Sequence, residues 1–174
     1  MQQATQPSSK FARALRHLRS SRGAAARAFP EATLGAIADA IALGERSHRG
    51  EVRLVVEKAL PVSAAWSGVS NRQRAIALFA DYGIWDTEDN CGVLIYVNLA
   101  DRKVDIVADR GIDRKIGAAT WQAVCDTMTR GFAQGDYHAA TLAAVEQVNA
   151  LLRLHFPSDG DARPNELPDQ PLML

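Results

Sequence analysis

The sequence predicts an α/β domain in three layers, a small mixed β-sheet flanked by helices on both faces (an α/β/α sandwich), and two observations carry that expectation. Residues 92–99 (GVLIYVNL) are a nearly unbroken apolar run, the pattern of a central strand covered on both sides. Around that run, segments of helical and of strand periodicity follow one another in the order α-β-α-β-β-α-α. The 174 residues, 47% hydrophobic and 23% charged, are enough for one such domain with tails.

Each element has its own local signal. Residues 1–9 (MQQATQPSS) are polar and are expected to be disordered. From Lys10 to Arg22 the spacing of Phe11, Ala14, Leu15 and Leu18 is helical, with Arg13, Arg16 and Arg19 between them, which predicts a short basic amphipathic helix. Pro30-Glu31 opens the domain proper, proline suiting a first helical turn and Glu31 its positive end. Leu34, Ile37, Ala38 and Ile41 continue that helix until Ser47-His48-Arg49-Gly50.

Glu51 to Leu60 alternates as a strand and stops at Pro61. Ser70 followed by Gln73 is a capping-box signature, and Ala75, Leu78, Phe79 and Tyr82 form the stripe behind it. After the apolar strand, Ala100-Asp101-Arg102-Lys103 is short enough for a hairpin turn into a strand at 104–108. Trp121, Val124, Cys125, Met128 and Phe132 mark the next helix. Asp136 caps the last one, and the polar, Pro-rich tail from Pro157 reads as a loop or extended segment. A helix between the first two strands implies that they run parallel; a hairpin makes the next pair antiparallel.

Zero net charge argues against a nucleic-acid binder, whose footprint is basic. The charge is nevertheless uneven. Residues 1–28 hold Lys10, Arg13, Arg16, Arg19, Arg22 and Arg27 and no acid, which suggests that this end has a partner of its own. Two cysteines make no disulfide framework, no apolar stretch is long enough to span a membrane, and no apolar segment follows the basic start as in a secretory signal. The expected location is cytoplasmic, peripheral to the inner membrane.

The stretches RGEVRLVVEKALP and DNCGVLIYVNLADRKVDIVADRGI, with FAQGDYHAATLAAVEQVNALL behind them, resemble the TPM domain over residues 29–156. Residues 1–28 are then a basic extension and 157–174 a tail. That family includes thylakoid-lumen phosphatases and bacterial envelope proteins. The WDTEDN and NELPDQP segments resemble a short bacterial subfamily, encoded beside LemA-type helical membrane proteins and a second, longer TPM protein. The resemblance implies a divalent-cation site, often for calcium, built from acids in loops at one end of the sheet. Asp89 and Asn90 match the loop before the long strand, and Asp113 matches the acid that ends a glycine-rich loop starting at Asp109. The family's further aspartate is replaced here by Ile116-Gly117-Ala118, and its loop tyrosine by Arg110.

Antiparallel pairing of the two later strands independently predicts that Asp89 and Asp109 meet at one sheet end, with Asp113 within reach and Asp86 and Glu88 close in sequence. Hard cations take several oxygen ligands, so these acids are candidate metal ligands; caps and solvated loops are the plainer use of the same residues. Arg110, Arg114 and Lys115 are candidate phosphate contacts or ordinary surface charge. No phosphate loop, GxSxG or HExxH is present, the four histidines lack ligand spacing, and no catalytic residue, nucleotide or organic cofactor is assigned. Tryptophans at 66, 85 and 121 read as packing residues, Trp85 also as a possible rim to the acids.

Lysines and arginines on an amphipathic helix attract anionic lipid, so Lys10, Arg13, Arg16, Arg19 and Arg22 are candidate contacts to a membrane or a membrane protein. A helix packed on its own domain's acidic face is the other reading. Two functions follow: a non-enzymatic accessory domain at the cytoplasmic face of the membrane, with a divalent cation as candidate ligand, or a metal-dependent phosphate-ester hydrolase.

Overall fold

A computed structural model describes residues 7–19, 22–160 and 164–174. Helix α1 (Pro7–Arg19) is followed by α2 (Arg22–Ala28), α3 (Glu31–Glu45) and strand β1 (Glu51–Glu57). A short helix α4 (Val62–Ser67) and α5 (Asn71–Asp81) lead to β2 (Gly92–Asn98) and β3 (Lys103–Ala108). Then come α6 (Arg110–Ile116), α7 (Ala118–Ala133), α8 (Tyr137–His155) and a two-residue strand β4 (Leu172–Met173).

Strand order is β3-β2-β1-β4. β1 and β2 run parallel with Glu51 opposite Gly92 and Glu57 opposite Asn98, as a helical crossover requires. The β2–β3 hairpin is antiparallel, pairing Val93 with Ala108 and Asn98 with Lys103. Arg102 in its turn adopts a positive φ of 53°.

Alternation along the strands divides the interior in two. Val52, Leu54, Val56, Val93, Ile95, Val97, Val104 and Ile106 face α3, α7 and α8, which contribute Ile37, Ile41, Met128, Val145 and Leu152 to the larger core. Val55, Leu94, Tyr96 and Val107 face the other way, against Ala75 and Leu78 of α5, Ile84 and Leu167. Helices therefore cover both faces of the sheet, as the sequence predicts. The smaller core holds a buried polar group as well: Glu57 takes the Arg74 guanidinium at 2.8 Å and the Tyr96 hydroxyl at 2.6 Å. Burial and the neighbouring Glu57 both push the Tyr96 phenol up, so it stays a donor.

The predicted caps are present. Ser70 and Gln73 form the reciprocal capping box of α5, and Asp136 accepts from the Ala139 amide at the start of α8. Six elements differ from the expectation. The basic helix begins at Pro7 inside the stretch read as disordered, whose residues 1–6 lie outside the described residues. It ends at Arg19, and a second helix, α2, follows. α4 and α6 occupy stretches read as loop, α6 replacing the expected glycine-rich loop. The tail supplies a fourth strand, β4, pairing parallel with β1 through Val55 and Leu172. The β1 segment itself is three residues shorter than predicted, ending at Glu57.

Candidate functional site

The acids before β2 and after β3 do come to one end of the sheet, because Val93 pairs with Ala108. Asp109 is the closing piece there. Its Oδ2 accepts from the Gly92 amide at 2.8 Å, and its own amide donates to the Gly92 carbonyl at 2.9 Å. Burial holds the Asp109 carboxyl above its usual range, with the Gly92 amide working against that shift. A Cβ on Gly92 would run into the Ile84 carbonyl oxygen, so only glycine fits beside this pair.

Asp89 lies in the preceding turn, where its carbonyl accepts from the Cys91 thiol at 3.3 Å. Asp113 sits in the first turn of α6, half-buried, its amide bonded to the Asp109 carbonyl at 2.8 Å. Among the described residues no three His, Cys, Asp or Glu side chains are grouped to hold a metal ion. The donor set fits a closed strand end better than a cation cage, which wants six or more oxygens. Arg110, Arg114 and Lys115 are exposed, and Arg114 bonds back to the Arg110 carbonyl. Trp85 is exposed beside this end, whereas Trp121 is buried in the larger core.

A second acidic gathering has no signal in the sequence, because its members are spread from 45 to 169. Glu45, Glu51 and Asp169 line a cleft of about 480 Å³ together with Arg46, His48 and Arg49. Burial pushes Glu45 up to about 9; the Val52 amide it accepts from at 2.8 Å opposes this, and Glu51 and Asp169 add to it. Glu51 is raised by burial too and accepts from the Leu167 amide at 3.1 Å, tying the tail to the sheet.

The N-terminal helix is the third feature. Arg13, Arg16 and His17 share one face of α1, at i, i+3 and i+4, and all three reach Asp101 in the β2–β3 turn. Arg13 Nη2 lies 2.7 Å from Asp101 Oδ2, Arg16 Nη2 3.2 Å from Oδ1, and His17 Nε2 3.1 Å from Oδ1. On its other side the His17 ring accepts the Leu60 amide through Nδ1 at 2.9 Å. Burial works to raise the Asp101 carboxyl, but Arg13 and His17 outweigh it and hold the group below its ordinary range.

Helix α1 thus lies against its own domain through its polar side, beside α4. Ala14 is its one buried apolar residue among those described, while Phe11 (60% exposed), Leu15 and Leu18 (67%) face solvent. On α4, Ala65 is buried and Val62 and Trp66 (56% exposed) are not. Lys10 is exposed; the side chains of Arg19 and Arg22 lie outside the described residues. The sequence marked the arginines of this helix but not Asp101. The signal was available: three basic residues on one helical face call for an acid, and Asp101 stands alone in its turn.

Comparison with known proteins places the fold. The TPM domain family model matches residues 24–151. The chain belongs to the TPM domain family. This TPM domain is similar to the NMR structure of the BA42 protein from the psychrophilic bacterium Bizionia argentinensis, with a TM-score of 0.70 and 27% identity over 81% of this chain and 92% of that one. No curated protein matches the chain. No helix of the described TPM domain is long and apolar enough to cross a membrane.

Proposed function

We propose that this TPM domain is a non-enzymatic accessory module that docks on the anionic cytoplasmic face of a membrane through α1 and α4, where it meets a membrane-protein partner. The observation that supports this reading is the outward apolar ridge of a basic helix. Phe11, Leu15 and Leu18 are exposed on a segment whose charged residues are all cationic, and the adjoining α4 exposes Val62 and Trp66. Buried apolar side chains add up to ~1.5–3 kcal/mol each on entering an apolar phase. Each lysine or arginine near an anionic surface adds ~1 kcal/mol. Neither set alone gives firm attachment; together they suit a reversible peripheral contact.

Co-sedimentation with phosphatidylglycerol-rich vesicles, against pure phosphatidylcholine, tests it. The wild-type chain is expected to pellet with the anionic vesicles and to be released by salt. Replacing Phe11, Leu15 and Leu18 together with serine should weaken binding at least ~10-fold, without touching the core. Equal recovery of this variant and wild type would overturn the reading.

A further inference from the structure

The way α1 is held points to how such a contact is regulated, an inference that rests on the membrane reading above. Docking of α1 beside α4 buries Ala14 and the His17 ring, covers part of Leu15, and leaves Phe11 and Leu18 facing solvent. Its polar anchors converge on a single acceptor. Arg13 donates to Asp101 through Nε at 3.0 Å and Nη2 at 2.7 Å, Arg16 at 3.2 Å, and His17 stands 3.1 Å away. Among the described residues a further anchor is the Leu60 amide, which donates to His17 Nδ1 at 2.9 Å.

Asp101 is itself fixed rigidly: its side chain is only 5% exposed, and its amide donates to Asn98 Oδ1 at 3.0 Å. Arg16, by contrast, is 57% exposed and in reach of solvent anions. An attachment whose ion pairs all converge on one carboxylate is open to competition by other anions, and a guanidinium pairs with phosphate as readily as with carboxylate. The same arginines cannot serve Asp101 and a lipid phosphate at once.

We propose that Asp101 is a releasable latch for α1. Headgroup phosphates of an anionic bilayer take Arg13 and Arg16 from it, and the helix leaves the turn between β2 and β3 to lie in the lipid interface with its apolar ridge down. In solution the latch keeps the arm folded against the domain and lowers its apparent affinity for membranes by the fraction of chains undocked. Release has a marker away from the helix, because the Leu60 amide loses its acceptor when His17 departs.

The test combines hydrogen exchange at Leu60 with vesicle binding, on the full chain, using phosphatidylglycerol-rich and pure phosphatidylcholine vesicles. Wild type should exchange slowly at Leu60 in solution and with neutral vesicles, and faster on anionic ones. Asp101→Asn should exchange fast at Leu60 without vesicles and bind anionic vesicles roughly tenfold tighter. His17→Ala, which leaves the hairpin turn untouched, should likewise bind tighter and serves if the first variant folds poorly. Anionic binding by wild type with Leu60 still protected would overturn the latch while leaving the membrane reading intact. Equal or weaker binding by both variants would overturn it as well. Absence of binding by every protein would remove the membrane reading, and the latch with it.

Discussion

Replacing Glu45 with glutamine should make the domain more stable at neutral pH, by an amount that grows with pH. Glu45 accepts from the Val52 amide and lies near Glu51 and Asp169 at the edge of the cleft, and its carboxyl is pushed up to about 9 from an ordinary 4.5. A raised carboxyl binds its proton in the folded state at pH values where the unfolded chain has released it. The stability it supports is therefore fully present below about 4.5 and is lost as pH rises toward about 9. At 1.36 kcal/mol per pH unit, taking up that proton at pH 7 costs the folded state about 3 kcal/mol at most, since water in the cleft relieves part of the burial. Glutamine carries no such requirement, keeps an acceptor for Val52 and offers a donor to Asp169. Thermal melts of wild type and Glu45→Gln across pH 4.5–9 should converge at the acid end. They should separate by about 1–3 kcal/mol at pH 7, or roughly 3–10 °C in a chain of this size. A separation independent of pH, or a glutamine variant less stable than wild type at pH 7, would refute the reasoning.

Three other outcomes follow from the same geometry. Gly92→Ala drives a methyl into the Ile84 carbonyl and should cost about 2–4 kcal/mol, read as a lowered denaturant midpoint; an unchanged midpoint would contradict the close approach. Glu57→Ala leaves the half-buried Arg74 and the buried Tyr96 hydroxyl without their acceptor and should cost about 2–4 kcal/mol, more than Tyr96→Phe at about 1–2. Millimolar calcium, magnesium or manganese should leave the melting midpoint within error, because Asp89, Asp109 and Asp113 are not gathered as a cage; a site filled at 100 times its dissociation constant would add ~2.7 kcal/mol. A metal-induced rise absent in Asp109→Ala, with phosphate-ester hydrolysis lost in the same variant, would instead favour the hydrolase.

Elements with dense local information were legible in the sequence. Residues 92–98 could be little else than a central strand, and Ser70 with Gln73, or Asp136, announced helix starts through hydrogen bonds made within four residues. The missed elements lack such signals. In α2 (RGAAARA) and α4 (VSAAWS), Ala25 and Ala65 are the buried residues, and a lone alanine leaves no apolar stripe to read. Ile112 and Ile116 of α6 do share a face, but Gly111 just before them favours a loop on propensity alone. β4 is created by its partner: two residues in a Pro-rich tail become a strand because β1 offers an unpaired edge. For the sites, strand pairing correctly brought Asp89 and Asp109 to one sheet end, yet periodicity is silent on what a carboxylate bonds to. Asp109 closes a strand end, and Asp101, which gathers three basic side chains, drew no notice as one residue of a turn.

The return of the tail to β1 also bears on the order of events expected during folding. Arg53 reaches the carbonyls of Pro168 and Gln170, the latter 117 residues further along the chain, and Leu174 exchanges hydrogen bonds with Val56 and Lys58. Closing so long a loop for so short a strand is entropically expensive, which predicts that it follows the local helices and the β2–β3 hairpin. Until then β1 is a bare parallel edge with Val52, Leu54, Val55 and Val56 along it, open to pairing with any extended chain nearby. By pairing with Val55 and Val56, the tail covers part of an edge that would otherwise be a template for association.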